Sequence, residues 1–315
     1  GIKNVGGHVN EWLLEYYKDF TKNNPAPHGF WGHWPMNFEE PSLDDKMIER
    51  ASEESDVALV VIGRAAGEDR ENTLTKGSYY LTDEERNLLD NVCNHFSNVT
   101  VLLDCGNIID MQWVLDYEER LRGIIYAWQG GMESGNAIAD VLFGRVNPSG
   151  RLTDTIAVRY EDYPSAMHFG NKLFNTYVED IFVGYRYFET FSKEKALFPF
   201  GYGLSYTNFD IEVLDFKSDN DKIMVEVRVT NIGDVAGKEV VELYANAPQG
   251  KLSKPVMSLV AFDKTINLEP KKSQKITLEV PVYLLASFDD TGATGHKYSY
   301  ILEKGEYKFF IGENV

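Results

Sequence analysis

The sequence predicts an α/β domain with a largely parallel sheet flanked by helices, followed by an all-β sandwich. Two observations lead to this prediction. Apolar runs of strand length alternate with helical segments through residues 51–160, which is the pattern of a parallel sheet covered by helices. After residue 208, short segments alternate apolar and polar residues between turn signals, which is typical of two packed antiparallel sheets.

The α/β domain, expected over residues 51–160, contains three apolar runs that each end near a glycine or an aromatic turn. Thr82 and Glu85 form the Thr-x-x-Glu pattern of a capping box, which predicts a helix from there to about residue 96. Two further helices are expected over 110–117 and from the glycine pair at 130–131 to about 143. The predicted strands are 57–63, 99–104 and 123–128.

The first 50 residues are expected to be an irregular segment of a truncated sandwich domain, with one helix beginning at Trp12 and a polar helix over 44–55. A loop rich in proline, glycine and aromatic residues lies between them. Its aromatic rings could form a platform for a sugar, but packing of the loop on its own domain is the favoured interpretation. The residues of this loop that we considered are His28, Trp31, His33 and Trp34.

The C-terminal half contains two different patterns. Residues 161–207 are rich in glycine, proline and tyrosine and are expected to be an extended linker or interdomain segment. Residues 208–315 are expected to form an immunoglobulin-like sandwich, to which we assign a packing role. Its alternating segments are 223–230, 239–244, 274–280 and 307–311.

The composition excludes two classes of partner. The chain has 31 basic and 49 acidic side chains and a formal net charge of −18. Such a charge repels phosphate backbones and anionic membranes, so we expect neither nucleic acid nor a membrane as partner. No apolar run approaches the roughly 20 residues that span a bilayer. The charge is compatible with a neutral substrate such as a sugar.

The two cysteines and the chain start bear on the compartment. Cys93 and Cys105 lie in apolar surroundings without a histidine cluster, so we expect buried reduced thiols rather than a metal site. This favours the cytoplasm, with a secreted or periplasmic location left open. The chain begins at Gly1 without a signal-peptide pattern, which suggests a processed or excised piece. Gly130-Gly131 does not complete a dinucleotide motif, so tight turn geometry is the better explanation and no cofactor is expected.

The densest cluster of chemically active side chains follows the first predicted strand. Residues 63–72 place three carboxylates and two guanidinium groups beside two glycines, at the carboxyl end of a parallel strand where α/β folds position their sites. A solvated charged loop is the alternative interpretation. The length of the loop and its flanking glycines favour a functional role, because its side chains could reach beyond their own domain.

The chain resembles glycoside hydrolase family 3, the β-glucosidase type, over about residues 55–315. In that family the α/β sandwich domain carries the acid/base loop and a fibronectin type III-like domain follows. The nucleophilic aspartate lies on a separate (β/α)8 barrel that has no counterpart in this chain. The segments that carry the resemblance, in chain order, are GEDR (67–70), SYYLTDEE (78–85), WQGGMESGNAIADVL (128–142), NPSGRL (147–152), YVEDIFVGYRYF (177–188), FPFGYGLSYT (198–207) and NIGDVAGKEV (231–240).

The resemblance implies roles for the loop residues. Glu68 corresponds to the general acid/base. Many members have Glu-Gly-Tyr-Asp-Arg here, and this chain lacks the two middle residues, so Asp69 and Glu71 stay alternatives. Arg70 is the substrate-binding candidate. Arg64 and Arg70 are expected to hold the loop through Asp69 or Glu71 and so to position Glu68, and a solvated surface arginine is the alternative for either.

The implied activity is that of part of a retaining exo-acting β-glucosidase, which removes terminal β-D-glucosyl residues from β-linked glucosides or oligosaccharides. β-Xylosidase and α-arabinofuranosidase activities are alternatives within the family, and a carbohydrate-binding or scaffolding module is the alternative outside it. The expected partner is a barrel domain in the same or another chain, and a homo-oligomer stays open. The chain alone is expected to be inactive.

Overall fold

A computed structural model describes residues 1–27, 35–65, 72–312 and 314 of the chain. These residues divide into two compact units, Gly1–Phe143 and Gly144–Val315. The domain limits at residues 50, 160 and 207 remain predictions.

The first unit is an α/β structure around a parallel sheet, as predicted. Its three strands are hydrogen bonded in the order β1-β2-β3, and both strand pairs are parallel. The predicted helices near residues 12, 44 and 82 are present, and so is the helix after the glycine pair. The elements are α1 (Glu11–Asn23), α2 (Asp45–Glu54), β1 (Ala58–Arg64), α3 (Asp83–His95), β2 (Val99–Cys105), β3 (Leu121–Tyr126) and α4 (Ser134–Leu142).

The capping box at the start of α3 is confirmed. The Thr82 hydroxyl accepts a hydrogen bond from the Glu85 backbone N–H at 3.1 Å, and the Glu85 carboxylate accepts one from the Thr82 N–H at 2.8 Å. Both bonds satisfy backbone N–H groups that a helix start leaves without partners.

The helix expected over 110–117 is wrong in type. The structure has a 3₁₀ helix at Gln112–Tyr117. The indole N–H of buried Trp113 donates to the Asp110 carbonyl at 2.9 Å, which takes the acceptor that the Val114 N–H would use in an α-helix. That N–H donates instead to the Met111 carbonyl at 3.1 Å, the i to i+3 bond of a tighter helix.

The third strand lies two residues earlier than the predicted range 123–128. It covers Leu121–Tyr126, and the Ala127 N–H still donates to the Leu103 carbonyl at 2.9 Å. Trp128 then adopts a left-handed backbone conformation with φ of 56°. That conformation turns the chain away from the sheet and ends the strand.

The second unit contains the predicted β-sandwich. The strands group as β10-β7-β6 and β13-β8-β9, with two small antiparallel pairs, β4-β5 and β11-β12. Its helix α5 falls within the segment expected to be a linker. The elements are β4 (Ile156–Ala157), α5 (Tyr185–Phe191), β5 (Ala196–Phe198), β6 (Phe209–Ser218), β7 (Lys222–Asn231), β8 (Val240–Asn246), β9 (Ser258–Lys264), β10 (Ser273–Pro281), β11 (Ser287–Asp289), β12 (Ser299–Ile301) and β13 (Lys308–Gly312).

The sandwich core follows from the alternation of side chains. Every second residue of β7 is buried, and its partner β10 alternates buried and exposed positions over its second half. Successive residues of a strand point to opposite faces, so the apolar residues of each sheet meet in one layer. That layer contains Val225, Val227, Val229, Val241, Leu243, Ile276, Leu278 and Val280.

The two cysteines are free and buried, as predicted. Burial raises the pKa of the Cys105 thiol to about 12, so it stays protonated at neutral pH and has little nucleophilic or metal-binding character. None of the described helices combines the length and the apolar character that a membrane span needs.

Candidate active site

The predicted catalytic loop follows β1, at the carboxyl edge of the parallel sheet. Glu68, Asp69, Arg70 and Glu71 lie in residues 66–71, outside the described residues. His28, Trp31, His33 and Trp34 of the aromatic loop also lie outside them. The described residues on both sides of the catalytic loop show how its ends are held.

The start of the loop is attached to two other segments. The Ala65 N–H donates to the Met36 carbonyl at 2.6 Å. The Gln129 side-chain amide donates to the Arg64 carbonyl at 3.2 Å. The chain therefore leaves β1 between the segment at residues 36–37 and the turn that follows β3.

The end of the loop is attached to the segment that follows β2. The Asn72 amide donates to the Ile108 carbonyl at 2.6 Å. The neighbouring Asn107 carbonyl accepts a bond at 2.6 Å from the Tyr126 hydroxyl at the end of β3. Hydrogen bonds thus join the exits of all three strands around the loop, which is the arrangement expected at a site on a parallel sheet.

Arg64, the last residue of β1, is 3% exposed and has five described acceptors for its five side-chain N–H groups. Two bonds of 2.6 and 2.7 Å go to the two carboxylate oxygens of Glu85, which is 5% exposed. The other three go to the carbonyls of Gly63, Ser78 and Tyr80 at 2.7, 3.0 and 3.3 Å. Arg64 is a bidentate, fully satisfied buried group.

The expected contacts of Arg64 with Asp69 or Glu71 fall on residues outside the described part of the chain, so that expectation stays a prediction. Among the described residues, the acceptors of Arg64 are Glu85, 21 positions along the chain, and three backbone carbonyls. The sequence assigned Glu85 only to the capping box, so its second role was missed, and no local signal indicated it.

Glu40 is a further carboxyl group in this unit that sequence reasoning missed. Burial and the nearby negative charge of Glu85 both raise its pKa. The raised pKa favours the neutral, proton-holding form, which is common at functional sites but also occurs in structural clusters. Hydropathy patterns could not single it out, because its environment depends on contacts between distant segments.

Trp128 and its neighbours form a strained turn beside the loop. A positive φ at an aromatic residue is rare and has a cost of about 1–3 kcal/mol, and such strain is concentrated at functional sites. The Trp128 ring lies 4.4 Å from the Tyr126 ring, measured between centroids. A Cβ at Gly130 would overlap the Ser134 side chain, which supports the interpretation of the glycine pair as tight turn geometry.

No group of three or more histidine, cysteine, aspartate or glutamate residues is arranged for a metal ion within residues 1–27, 35–65 and 72–312. The described part of the site therefore consists of hydrogen bonds, one buried ion pair and an aromatic turn.

Comparison with known proteins identifies the family. The pattern of the glycosyl hydrolase family 3 C-terminal domain matches residues 4–206, and that of the fibronectin type III-like domain matches residues 239–315. A β-glucosidase of Ruminococcus albus is 46% identical over 100% of this chain and 33% of its own length. β-Glucosidase A of Butyrivibrio fibrisolvens is 40% identical over 89% of this chain and 38% of its own length.

Solved structures agree with these matches. A β-glucosidase from Paenibacillus barengoltzii superimposes with a TM-score of 0.95 at 48% identity, covering 98% of this chain and 34% of that one. β-Glucosidase 3B from Thermotoga neapolitana in complex with glucose gives a TM-score of 0.87 at 37% identity, covering 100% of this chain and 44% of that one.

The chain thus spans about a third of the length of the curated relatives it matches. The family pattern covers well over half of the chain, and its order of an α/β sheet followed by a β-sandwich is the order observed here. The chain belongs to glycosyl hydrolase family 3, and it contains the family's C-terminal domain and its fibronectin type III-like domain.

Proposed function

We propose that this chain supplies the general acid/base to a retaining exo-acting β-glucosidase, which hydrolyses terminal non-reducing β-D-glucosyl residues of β-linked glucosides or oligosaccharides. The single observation that carries the proposal is the 46% identity over the full chain to a β-glucosidase. The loop position at the carboxyl end of β1 supports it, because side chains there can reach a substrate outside their own domain.

Glu68 is the proposed acid/base, with Asp69 and Glu71 as alternatives, and Arg70 is the proposed substrate-binding residue. The assignment rests on the Gly67-Glu68-Asp69-Arg70 motif. The nucleophile is proposed to be an aspartate on a (β/α)8 barrel, in the same or another chain. The reaction needs neither a metal nor a cofactor.

The reaction uses two carboxyl groups about 5–5.5 Å apart. The barrel carboxylate bonds to the anomeric carbon while Glu68 gives its proton to the glycosidic oxygen, so the C–O bond breaks and the alcohol leaves. Glu68, now a carboxylate, takes a proton from water as the water oxygen bonds to the anomeric carbon and displaces the barrel carboxylate. One water is consumed, and both carboxyl groups return to their initial states.

The chain alone is proposed to be inactive, because one carboxyl group can protonate a leaving group but cannot also form the glycosyl intermediate. The test is hydrolysis of an aryl β-glucoside by rigorously barrel-free chain, compared with buffer. A rate equal to that of buffer is expected, and turnover that disappears in Glu68→Gln would contradict this part of the proposal.

The residue assignment is tested by comparing Glu68→Gln, Asp69→Asn and Glu71→Gln in the form of the enzyme that contains the barrel. General acid catalysis contributes about 10²–10⁴-fold, and it matters most for poor leaving groups. In Glu68→Gln, kcat/KM should therefore fall far more for phenyl β-glucoside than for 2,4-dinitrophenyl β-glucoside. If Asp69→Asn or Glu71→Gln shows that pattern instead, the acid/base role moves to that residue.

We also propose a cytoplasmic location, supported by the two buried free thiols. Such thiols are typical of reducing compartments. Fractionation should recover the protein with a cytosolic marker, and recovery in the medium or periplasm would contradict the proposal.

A homo-oligomer is a further part of the proposal, and sedimentation of the barrel-containing form measures its molecular mass.

A further inference from the structure

The buried ion pair between Arg64 and Glu85 lies directly at the start of the proposed catalytic loop. Arg64 is the last residue of β1, two positions before the loop at 66–71 begins. The side chains of Arg64 and Glu85 are 1% and 6% exposed. A charge pair so thoroughly removed from water needs excellent geometry, and replacing such a pair by apolar residues is often neutral or stabilising. Its presence here therefore calls for an explanation other than stability alone.

Both ends of the catalytic loop converge on the segment that Arg64 holds. The Arg64 Nε–H donates to the Ser78 carbonyl at 3.0 Å. The Thr73 N–H, just after the loop, donates to the Ser78 hydroxyl at 2.9 Å. One buried serine thus connects Arg64, two positions before the loop, to Thr73, two positions after it.

The pair also attaches this segment to the start of α3. One Glu85 oxygen accepts from the Arg64 Nη2–H at 2.7 Å and from the Thr82 N–H at 2.8 Å. The capping box and the ion pair therefore share one carboxylate. Any movement of Arg64 would disturb the helix start, the Ser78 contact and the loop exit together.

The geometry requires arginine at this position. The five N–H groups of the Arg64 guanidinium each have an acceptor, whereas a lysine has three donors on a single nitrogen. A lysine could keep the charge pair with Glu85, but it could not also reach the carbonyls of Ser78 and Tyr80.

We propose that Arg64 and Glu85 are positioning residues for the catalytic loop: their buried pair fixes both loop ends and so sets where the acid/base carboxyl meets the glycosidic oxygen. The inference rests on the proposed function. Neither residue touches the substrate in this proposal, and each acts through the loop.

The test uses Arg64→Lys and Glu85→Gln in the barrel-containing enzyme. The measurement is kcat/KM for phenyl and for 2,4-dinitrophenyl β-glucoside, because kcat/KM reports the glycosylation step, whereas kcat also depends on the later attack of water. A displacement of about 1 Å can reduce a rate about 10²-fold, and the phenyl substrate depends most on proton donation. We expect kcat/KM for the phenyl glucoside to fall about 10- to 100-fold and kcat/KM for the dinitrophenyl glucoside to fall less than about threefold.

The matched control is Glu303→Gln in the β-sandwich. Glu303 pairs with Lys254, and the two side chains are 11% and 3% exposed, so this change also breaks a buried ion pair. It should lower the melting temperature and leave unchanged the ratio of kcat/KM for the phenyl glucoside to kcat/KM for the dinitrophenyl glucoside. A purely structural role for Arg64 and Glu85 would give the same result in their variants.

Four outcomes decide the proposal. An unchanged ratio in folded Arg64→Lys overturns it, even if Glu85→Gln fails to fold. A ratio that shifts equally in Glu303→Gln also overturns it. If Glu68→Gln, Asp69→Asn and Glu71→Gln all leave the ratio unchanged, the proposed function fails first. If one of them collapses the phenyl rate and Arg64→Lys reproduces the pattern in milder form, the proposal holds.

Discussion

Asn231, at the end of β7, allows a sharp test of the structure, because its fully buried side chain makes four hydrogen bonds. Its amide donates to the carbonyls of Val235 and Leu268, both at 2.8 Å. Its oxygen accepts from the Thr207 hydroxyl at 2.8 Å and from the Gly233 N–H at 3.1 Å. The residue therefore connects a turn and two distant segments within the second unit.

The substitution Asn231→Asp keeps the shape and the acceptor and removes both donors. The Leu268 carbonyl keeps its bond from the Gly237 N–H at 3.1 Å, but the new carboxylate oxygen faces both carbonyl oxygens without a donor. The two lost bonds cost about 0.5–1.5 kcal/mol each and the buried acceptor without a donor about 1–3 kcal/mol, so we expect a loss of about 4 kcal/mol in the free energy of opening of β7 and β10. With about 1.36 kcal/mol per factor of ten, amide exchange in β7 and β10 should accelerate about 10³-fold.

Hydrogen–deuterium exchange of the β7 and β10 peptides measures this effect. The matched control is Asn246→Asp, because Asn246 donates a single bond at 2.6 Å to the Val256 carbonyl in an exposed setting. Its effect should stay below about 1 kcal/mol, or less than about tenfold. If Asn231→Asp also accelerates exchange less than tenfold, the reasoning about the buried network is refuted.

Three further predictions concern other described residues. Hydrogen bonds from Thr294 and from loop amides lower the pKa of Asp289 to about 2. The ionised carboxylate therefore stabilises the folded loop above the pKa of the unfolded chain, and this stabilisation is lost as pH falls through the folded value. The protection factors of the loop amides, which are the intrinsic exchange rates divided by the observed rates at the same pH, should fall between about pH 4 and 2, and Asp289→Asn should abolish that dependence. Because burial raises the pKa of Cys105 to about 12, iodoacetamide at pH 8 should leave it unmodified until denaturant is added; rapid native labelling would contradict its burial. Gly130→Ala should lower the melting temperature, because the new Cβ would overlap Ser134, the first residue of α4. A Cβ at Gly131 meets nothing within 4 Å, so Gly131→Ala should leave the melting temperature unchanged. Equal effects of the two changes would count against the turn geometry.

Local chemistry explains which parts of the fold the sequence predicted. The Thr82 capping box uses groups three residues apart, so a four-residue pattern was enough to place the start of α3. The alternation along β7 and β10 reflects one buried sheet face, which two-residue periodicity reports directly.

Contacts between distant segments explain what the sequence missed. The Trp113 indole N–H donates to the Asp110 carbonyl, and a 3₁₀ helix forms where an α-helix was predicted. This hydrogen bond depends on where the indole ring is buried, which a local sequence pattern does not report. Arg64 and Glu85 are 21 positions apart, and the pattern around Glu85 already had an explanation as a helix cap. Glu68 was proposed through a family motif, because charge content alone favours a solvated loop.

The central claim is that Glu68 is the acid/base of a retaining enzyme, and Glu68→Ala in the barrel-containing form tests it most directly. Without the carboxylate, water attack on the glycosyl intermediate slows, and the space left by the side chain admits azide, which attacks the anomeric carbon without a general base. With 2,4-dinitrophenyl β-glucoside and sodium azide, we predict faster turnover and β-glucosyl azide as the product, whereas the unsubstituted enzyme should give glucose. No rate increase, or an azide product of α configuration, would contradict the claim.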